Sequence, residues 1–325
     1  MTDGPSSPTR PAPRLSVCLP TDKLDTLRPV LSRLRAQTIA SSIEVVIATP
    51  EIEATREAVA DESAFASVRV VAVGALVPLG RARATAVRAA TAPFVFLGET
   101  HSFAEPGWAE ALLVRHDEGW SVVVPGIANA NPRGVLSWAG LLLDYGSWLQ
   151  DRAPSELRYW PLNNSSCRRA ALLECDDDLE RGLSYGDQLL VALHTRGHRV
   201  YFEPRAVLSH LNISRFRAWL DERWVGGVLV ARHRSRDWSR VRRAAYVLGS
   251  PLIPLVLFGR VARSAVATVR ARRLPLTTLP VMLLGAVAHG LGELVGYARL
   301  GGAEGAEARM TEYEIHKARY AWASA

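Results

Sequence analysis

The sequence predicts an α/β fold, a mostly parallel central sheet with helices on both faces, followed by a helical, apolar C-terminal part. Three observations lead there. Short apolar runs alternate with helix-period segments through roughly the first third of the chain. The stretches between those runs are long enough to carry a crossover, which parallel pairing requires. From Ala245 onward this alternation gives way to two long apolar stretches.

The elements follow in order. Residues 15–19 (Leu-Ser-Val-Cys-Leu) read as a buried strand. Residues 25–37 place Leu27, Val30, Leu31 and Leu34 on one helical face. Residues 45–48 are again strand, 53–60 a helix, 68–73 a strand, 79–91 an Ala- and Arg-rich helix, and 94–97 a strand. Beyond Leu97 the rhythm loosens. Pro106-Gly-Trp108 opens a helix through about His116, 122–124 is a strand, and 129–159 is a long, partly helical excursion. Helices at 168–173 and 185–195 follow, the second stopped by Gly197, then strands near 200–202 and 207–210. In such sheets ligands bind at the carboxyl ends of the strands.

At 325 residues with 48% hydrophobic side chains, the chain can bury one large core and carry an appendage. The expected division is a disordered tail over 1–13, a catalytic α/β domain over 14–240, basic and apolar membrane-associated helices over 241–300, and an amphipathic helix or tail over 301–325. Cys18, Cys167 and Cys175 form no CxxC pair and suit neither a disulfide framework nor a structural zinc site. The start lacks the apolar run of a secretory signal, so the main domain is expected on the cytoplasmic side.

The net charge of +7 is uneven, because Arg232, Arg234, Arg236, Arg240, Arg242 and Arg243 crowd before the apolar stretches 245–259 and 274–292. Arginines beside apolar runs point to an anionic lipid surface, with residues 232–300 as the contact, and no nucleic acid is expected as partner. The first stretch is short of the roughly 20 residues that a spanning helix needs. The second carries Pro275, Pro280 and several glycines, so a re-entrant or interfacial hairpin is favoured over two spans. A buried helical subdomain or a homo-oligomer interface is the alternative.

Several residues carry possible chemistry. Glu99 and His101, two apart at the end of a strand, point to one side and can reach one divalent cation, Mn²⁺ or Mg²⁺; a solvated turn is the plainer reading. Asp187 opens a helix, where the dipole favours its ionised form, and Ser184 to Asp187 also matches a capping box. His210 closes a strand and offers a third ligand or a phosphate contact, with a structural strand-end histidine as the plainer reading. Arg81 and Arg83, entering a helix, suit phosphate or equally a solvated basic face, and Trp160, Asn163 and Asn164 combine an aromatic ring with amides as sugar sites do and as ordinary loops also can.

The order of these pieces resembles glycosyltransferase family 2, inverting enzymes with a GT-A fold, from about Leu15 to His210. The resemblance implies a nucleotide-sugar donor held by Pro20, Thr21, Arg83 and Glu99. It implies a cation on Glu99, His101 and His210, an acceptor lined by Trp160, Asn163 and Asn164, and Asp187 as general base. Phe96 to His101 is similar to a variant that has Glu-x-His in place of the DxD segment, and the 249–297 region resembles the membrane-associated tail of some bacterial members. A lipid-linked or cell-surface glycan acceptor, polysaccharide synthesis and a place at the cytoplasmic face of the membrane follow as expectations. The sequence departs from the family at Ala48-Thr49-Pro50-Glu51, which lacks paired aspartates, and at Gly186, where a Glu is usual. Those departures favour the rival reading, a catalytically silent GT-A-like scaffold that binds a nucleotide or a partner at the membrane.

Overall fold

The computed structural model describes residues 12–185, 187–300 and 305–321, and of Asp177, Tyr185 and Asp187 only the backbone. Most of the expected 1–13 tail and parts of 301–325 lie outside the described residues.

The described residues form a nine-stranded sheet in the order β3-β2-β1-β4-β8-β6-β9-β5, with β7 paired to β9. Its first half alternates as the apolar pattern requires: β1 (Leu15–Pro20), α1 (Leu24–Arg35), β2 (Ile43–Thr49), α2 (Ile52–Ala58), β3 (Ser67–Ala72), α3 (Leu79–Ala89) and β4 (Phe94–Leu97). The pairs β1–β2, β2–β3 and β1–β4 are parallel, and β1 and β2 are buried along their whole length, as strands covered on both faces are.

The second half is mixed. It runs β5 (Ser102–Ala104), α4 (Trp108–Asp117), β6 (Val122–Asn129), α5 (Val135–Tyr145), β7 (Ser155–Leu157), β8 (Ser166–Arg168), α6 (Arg169–Leu173), α7 (Leu179–Tyr185), α8 (Asp187–Thr195) and β9 (Val200–His210). Here β8 is antiparallel to both β4 and β6, and β5 and β7 are antiparallel to β9. The two short strands expected near 200–210 are one strand, whose pairing with β6 shifts register between Pro125 and Gly126. The helix expected at 185–195 is preceded by a separate one. Ser184 lies inside α7 and its hydroxyl donates to the Glu180 carbonyl at 3.0 Å.

After β9 the chain is helical: α9 (Phe216–Arg234), α10 (Arg240–Gly249), α11 (Ile253–Ala271), α12 (Thr278–Ala298) and α13 (Ala306–Ile315). The segment Arg240–Ala271 and α12 are long and apolar enough to cross a membrane by length and composition. α12 packs chiefly along α9, and also touches α5 and α11. A Cβ on Gly227 would meet the His289 carbonyl oxygen at 2.0 Å and one on Gly292 the Trp224 carbonyl oxygen at 2.1 Å, so the backbones of α9 and α12 touch where only hydrogen fits.

Candidate active site

The site begins where β4 ends. The Gly98 N–H donates to the Cys18 carbonyl at 3.0 Å, and a Cβ at Gly98 would meet Leu19 Cδ2 at 2.8 Å, so glycine lets the chain turn close to β1. Glu99 follows at the carboxyl edge of the sheet. β5 then pairs with the end of β9, Ser102 opposite His210, and the Leu211 N–H donates to the His101 carbonyl at 2.9 Å. That pairing sets the rings of His101 and His210 edge to face, centroids 4.9 Å apart.

Glu99, His101 and His210 thereby converge, with one ligand atom of each within 4.8 Å of the others. Glu99 Oε2 lies 3.1 Å from His101 Nε2 and 3.5 Å from His210 Nε2. All three are buried, at 6%, 1% and 3% exposure. His210 Nδ1 is 2.9 Å from Asn212 Oδ1, an acceptor, so Nδ1 carries a proton and Nε2 is the nitrogen that faces the carboxylate. Neither nitrogen of His101 makes a hydrogen bond of acceptable geometry. Burial, and next the Lys317 ammonium, push the His101 imidazolium down to about 3, so the ring is neutral as a ligand must be. One carboxylate oxygen and two imidazole nitrogens form a donor set suited to a divalent cation, with nitrogen favouring Mn²⁺ over Mg²⁺.

Asn164 and Asn212 support this group. Asn164 has φ 60°, a left-handed conformation that asparagine tolerates. Its Nδ2 donates to Glu99 Oε2 at 2.6 Å and to the Tyr145 hydroxyl at 3.0 Å. Asn212 is fixed by Asn129 and Asn131, Asn131 Nδ2 also donating to the Asn212 carbonyl at 2.8 Å.

The other expected residues separate into those near this group and those away from it. Pro20 ends β1, and the Thr21 hydroxyl is used within the turn, donating to the Lys23 carbonyl at 3.0 Å. Arg83 is buried; its Nη1 donates to the Leu183 carbonyl at 3.0 Å, and with Asn163, Ser184 and Glu314 it lines a cavity of about 180 Å³ between α3, α9 and α13. Arg81 turns instead toward the Ala75 and Val77 carbonyls. Trp160 is a correction: at 1% exposure, packed against the edge of His194, it is a core side chain and presents no face to a sugar. Asn164, expected beside the acceptor, is bonded to Glu99. Asp187 is the first residue of α8, and its side chain lies outside the described residues.

Sequence reasoning missed the C-terminal cover. The Thr100 hydroxyl donates to the Ile315 carbonyl at 3.4 Å, His316 Nε2 is 3.1 Å from Asp22 Oδ2, and the N–H groups of Ser214 and Arg215 donate to the Tyr320 carbonyl. A second cavity, of about 260 Å³, opens beside α13 at the carboxyl ends of β1, β2 and β3, lined by Asp22, Pro50, Leu76, Val77 and His316. Thr311 borders both cavities.

The sequence matches no family model and no curated protein. Among solved structures, the chain is similar to residues 1–349 of TarS from S. aureus, alone (16% identity, TM-score 0.48), with UDP (14%, 0.47) and with UDP-GlcNAc (14%, 0.47). Each alignment covers 92% of this chain and 91% of the other.

Proposed function

We propose that the chain is an inverting glycosyltransferase of the GT-A type. It moves a sugar from a nucleotide-sugar donor to a hydroxyl of a lipid-linked or cell-surface glycan at the cytoplasmic face of the membrane. The observation that carries this reading is the convergence of Glu99, His101 and His210 at the carboxyl edge of the sheet. The order of motifs that resembles family 2 supports it. Residues 14–240 are the catalytic unit in this reading and 241–300 the membrane-facing one.

Glu99, His101 and His210 hold the cation, oriented by Asn164 and Asn212. When bound, a divalent cation there neutralises charge on the nucleoside diphosphate as it departs. The cavity flanked by Asp22, Pro50 and Val77 receives the nucleoside, and the one lined by Arg83 and Asn163 receives the acceptor. Asp187, three residues beyond Ser184 of that lining, takes the proton of the acceptor hydroxyl. The hydroxyl oxygen bonds to the anomeric carbon, the bond from that carbon to the diphosphate breaks, and configuration inverts.

Calorimetric titration with UDP, GDP, TDP, ADP and CDP, with and without Mn²⁺, tests this. Binding strengthened by Mn²⁺ is expected, kept by Asp187→Asn and stripped of its metal-dependent part in the Glu99→Ala, His101→Ala double variant. Absence of binding to every nucleotide would overturn the reading in favour of a silent scaffold.

A further inference from the structure

Lys317 is one of only two lysines in a chain whose 39 basic residues are otherwise arginine. It stands in the turn Lys317–Tyr320 that follows α13, and its ammonium is buried, with 6% of the side chain exposed. The turn is tied down on both sides of the sheet's ligand edge, to the end of β1 through His316 and Asp22 and to the end of β4 through Ile315 and Thr100. Lys317 directly follows the two residues that make these ties, and its charge acts on both His101 and Glu99.

Its nearest anions do not hold it tightly. Nζ is 3.7 Å from Glu222 Oε1 and 3.7 Å from Glu314 Oε1, well beyond the roughly 2.7–2.9 Å of a charge-assisted hydrogen bond. Glu222 is itself engaged by Arg223, which also holds Asp144 in a two-pronged pair at 2.5 and 2.7 Å. Burial works against the ammonium, yet Glu314, Glu222, Glu99 and Asp144 outweigh it and raise its proton affinity, so the positive charge persists. A compact charged group with rotatable donors is thus flanked by two carboxylates at 3.7 Å and in hydrogen-bond contact with neither.

We propose that Lys317 is a phosphate-binding residue of the donor site, a cation supplied by the chain's C-terminal segment that contacts the diphosphate of the nucleotide beside the Glu99, His101 and His210 group. The proposal rests on the nucleotide-sugar reading and adds to it a residue more than 200 positions beyond Glu99 and His101 in the chain. Because the charge belongs to the chain, part of the diphosphate affinity is independent of added metal.

The test uses the full chain and metal-free calorimetry with inorganic pyrophosphate, with the nucleoside diphosphate that the wild type binds, and with its nucleoside. Removing Lys317 alone leaves Glu222 and Glu314 without their shared cation and can unfold the chain. Lys317→Met is therefore accompanied by the double variant Lys317→Met, Glu314→Gln, which withdraws the charges together. Both variants are expected to bind the diphosphate about ten- to a hundredfold more weakly and to lose pyrophosphate binding, with nucleoside affinity unchanged. Wild-type diphosphate affinity in a folded variant, with only the thermal midpoint lowered, would reduce Lys317 to a seal for the C-terminal segment and overturn the proposal. A wild type that binds no nucleoside diphosphate would overturn the nucleotide-sugar reading itself, and this inference with it.

Discussion

His116 and His101 are both buried and both held neutral, yet only one has its ring nitrogens engaged. His116 Nδ1 donates to the Trp120 carbonyl at 2.9 Å, Nε2 meets the Ser166 hydroxyl at 2.8 Å, and the ring stacks on Phe94 at 4.0 Å. That is a structural histidine, and burial is the first cause of its shift from 6.5 to about 4. Because the folded state resists protonation more than the unfolded one, its contribution to stability is full above pH 6.5 and is lost as the pH falls toward 4. The span amounts to about 3 kcal/mol. Thermal midpoints across that range are expected to fall more steeply in the wild type than in His116→Gln, whereas parallel profiles would mean that His116 takes up no proton on unfolding. His101 differs by its two unbonded nitrogens, and the sequence hinted at this role because Glu99 and His101 sit two apart at a strand end. The partners that hold the site were not legible. His316 meets Asp22 across 294 positions of chain, and no periodicity or spacing signals a contact that only the fold makes.

At the scale of elements, the C-terminal glycines have the clearest physical consequence. In the sequence they interrupt an apolar run and argue against a membrane span; in the fold they are the contact surface between α9 and α12. Besides Gly227 and Gly292, a Cβ at Gly296 would lie 2.6 Å from both the Ala231 Cβ and the Val228 carbonyl oxygen. Gly292→Ala would force the two helices apart and is expected to lower stability by about 1–3 kcal/mol. Gly259 is the internal comparison, since it lies in α11 with open space around the place a Cβ would take. Gly259→Ala is expected to be neutral or to stabilise by up to about 1 kcal/mol. Equal losses in denaturant titrations of the two variants would mean that the close approach does not govern the packing of these helices. The parallel half of the sheet was legible because β1, β2 and β4 are mainly apolar, as doubly covered strands are, with Ser16, Glu44 and Thr49 as the buried polar exceptions. The antiparallel half was not, because β5, β7 and β8 are three residues each and too short to show a period.

For the whole molecule, this same interlock constrains how the chain can meet a bilayer. α9 carries Asp221, Glu222, Arg223, Arg232 and Arg234, and α12 cannot enter hydrocarbon to full depth without taking that charged helix along. The outward side of the helical part is different. Val241, Leu248, Leu252, Leu255 and Leu276 are 62–82% exposed, and Arg240, Arg242, Arg260, Arg263 and Arg270 are exposed around them. An apolar face rimmed by arginine fits the headgroup boundary of an anionic leaflet, entered to about 5–10 Å with the helices lying in its plane. The chain is therefore expected to sediment with vesicles containing phosphatidylglycerol and to remain in solution with pure phosphatidylcholine. Replacing Arg240, Arg242 and Arg243 with Gln should weaken binding by about 3 kcal/mol, roughly a hundredfold, at about 1 kcal/mol for each charge. Leu248→Asp with Leu255→Asp should abolish it while nucleotide binding persists. Alkaline carbonate should release the wild type from membranes; a chain that stayed in the pellet would be anchored by a crossing helix, and α9 and α12 would then have to separate in the bilayer.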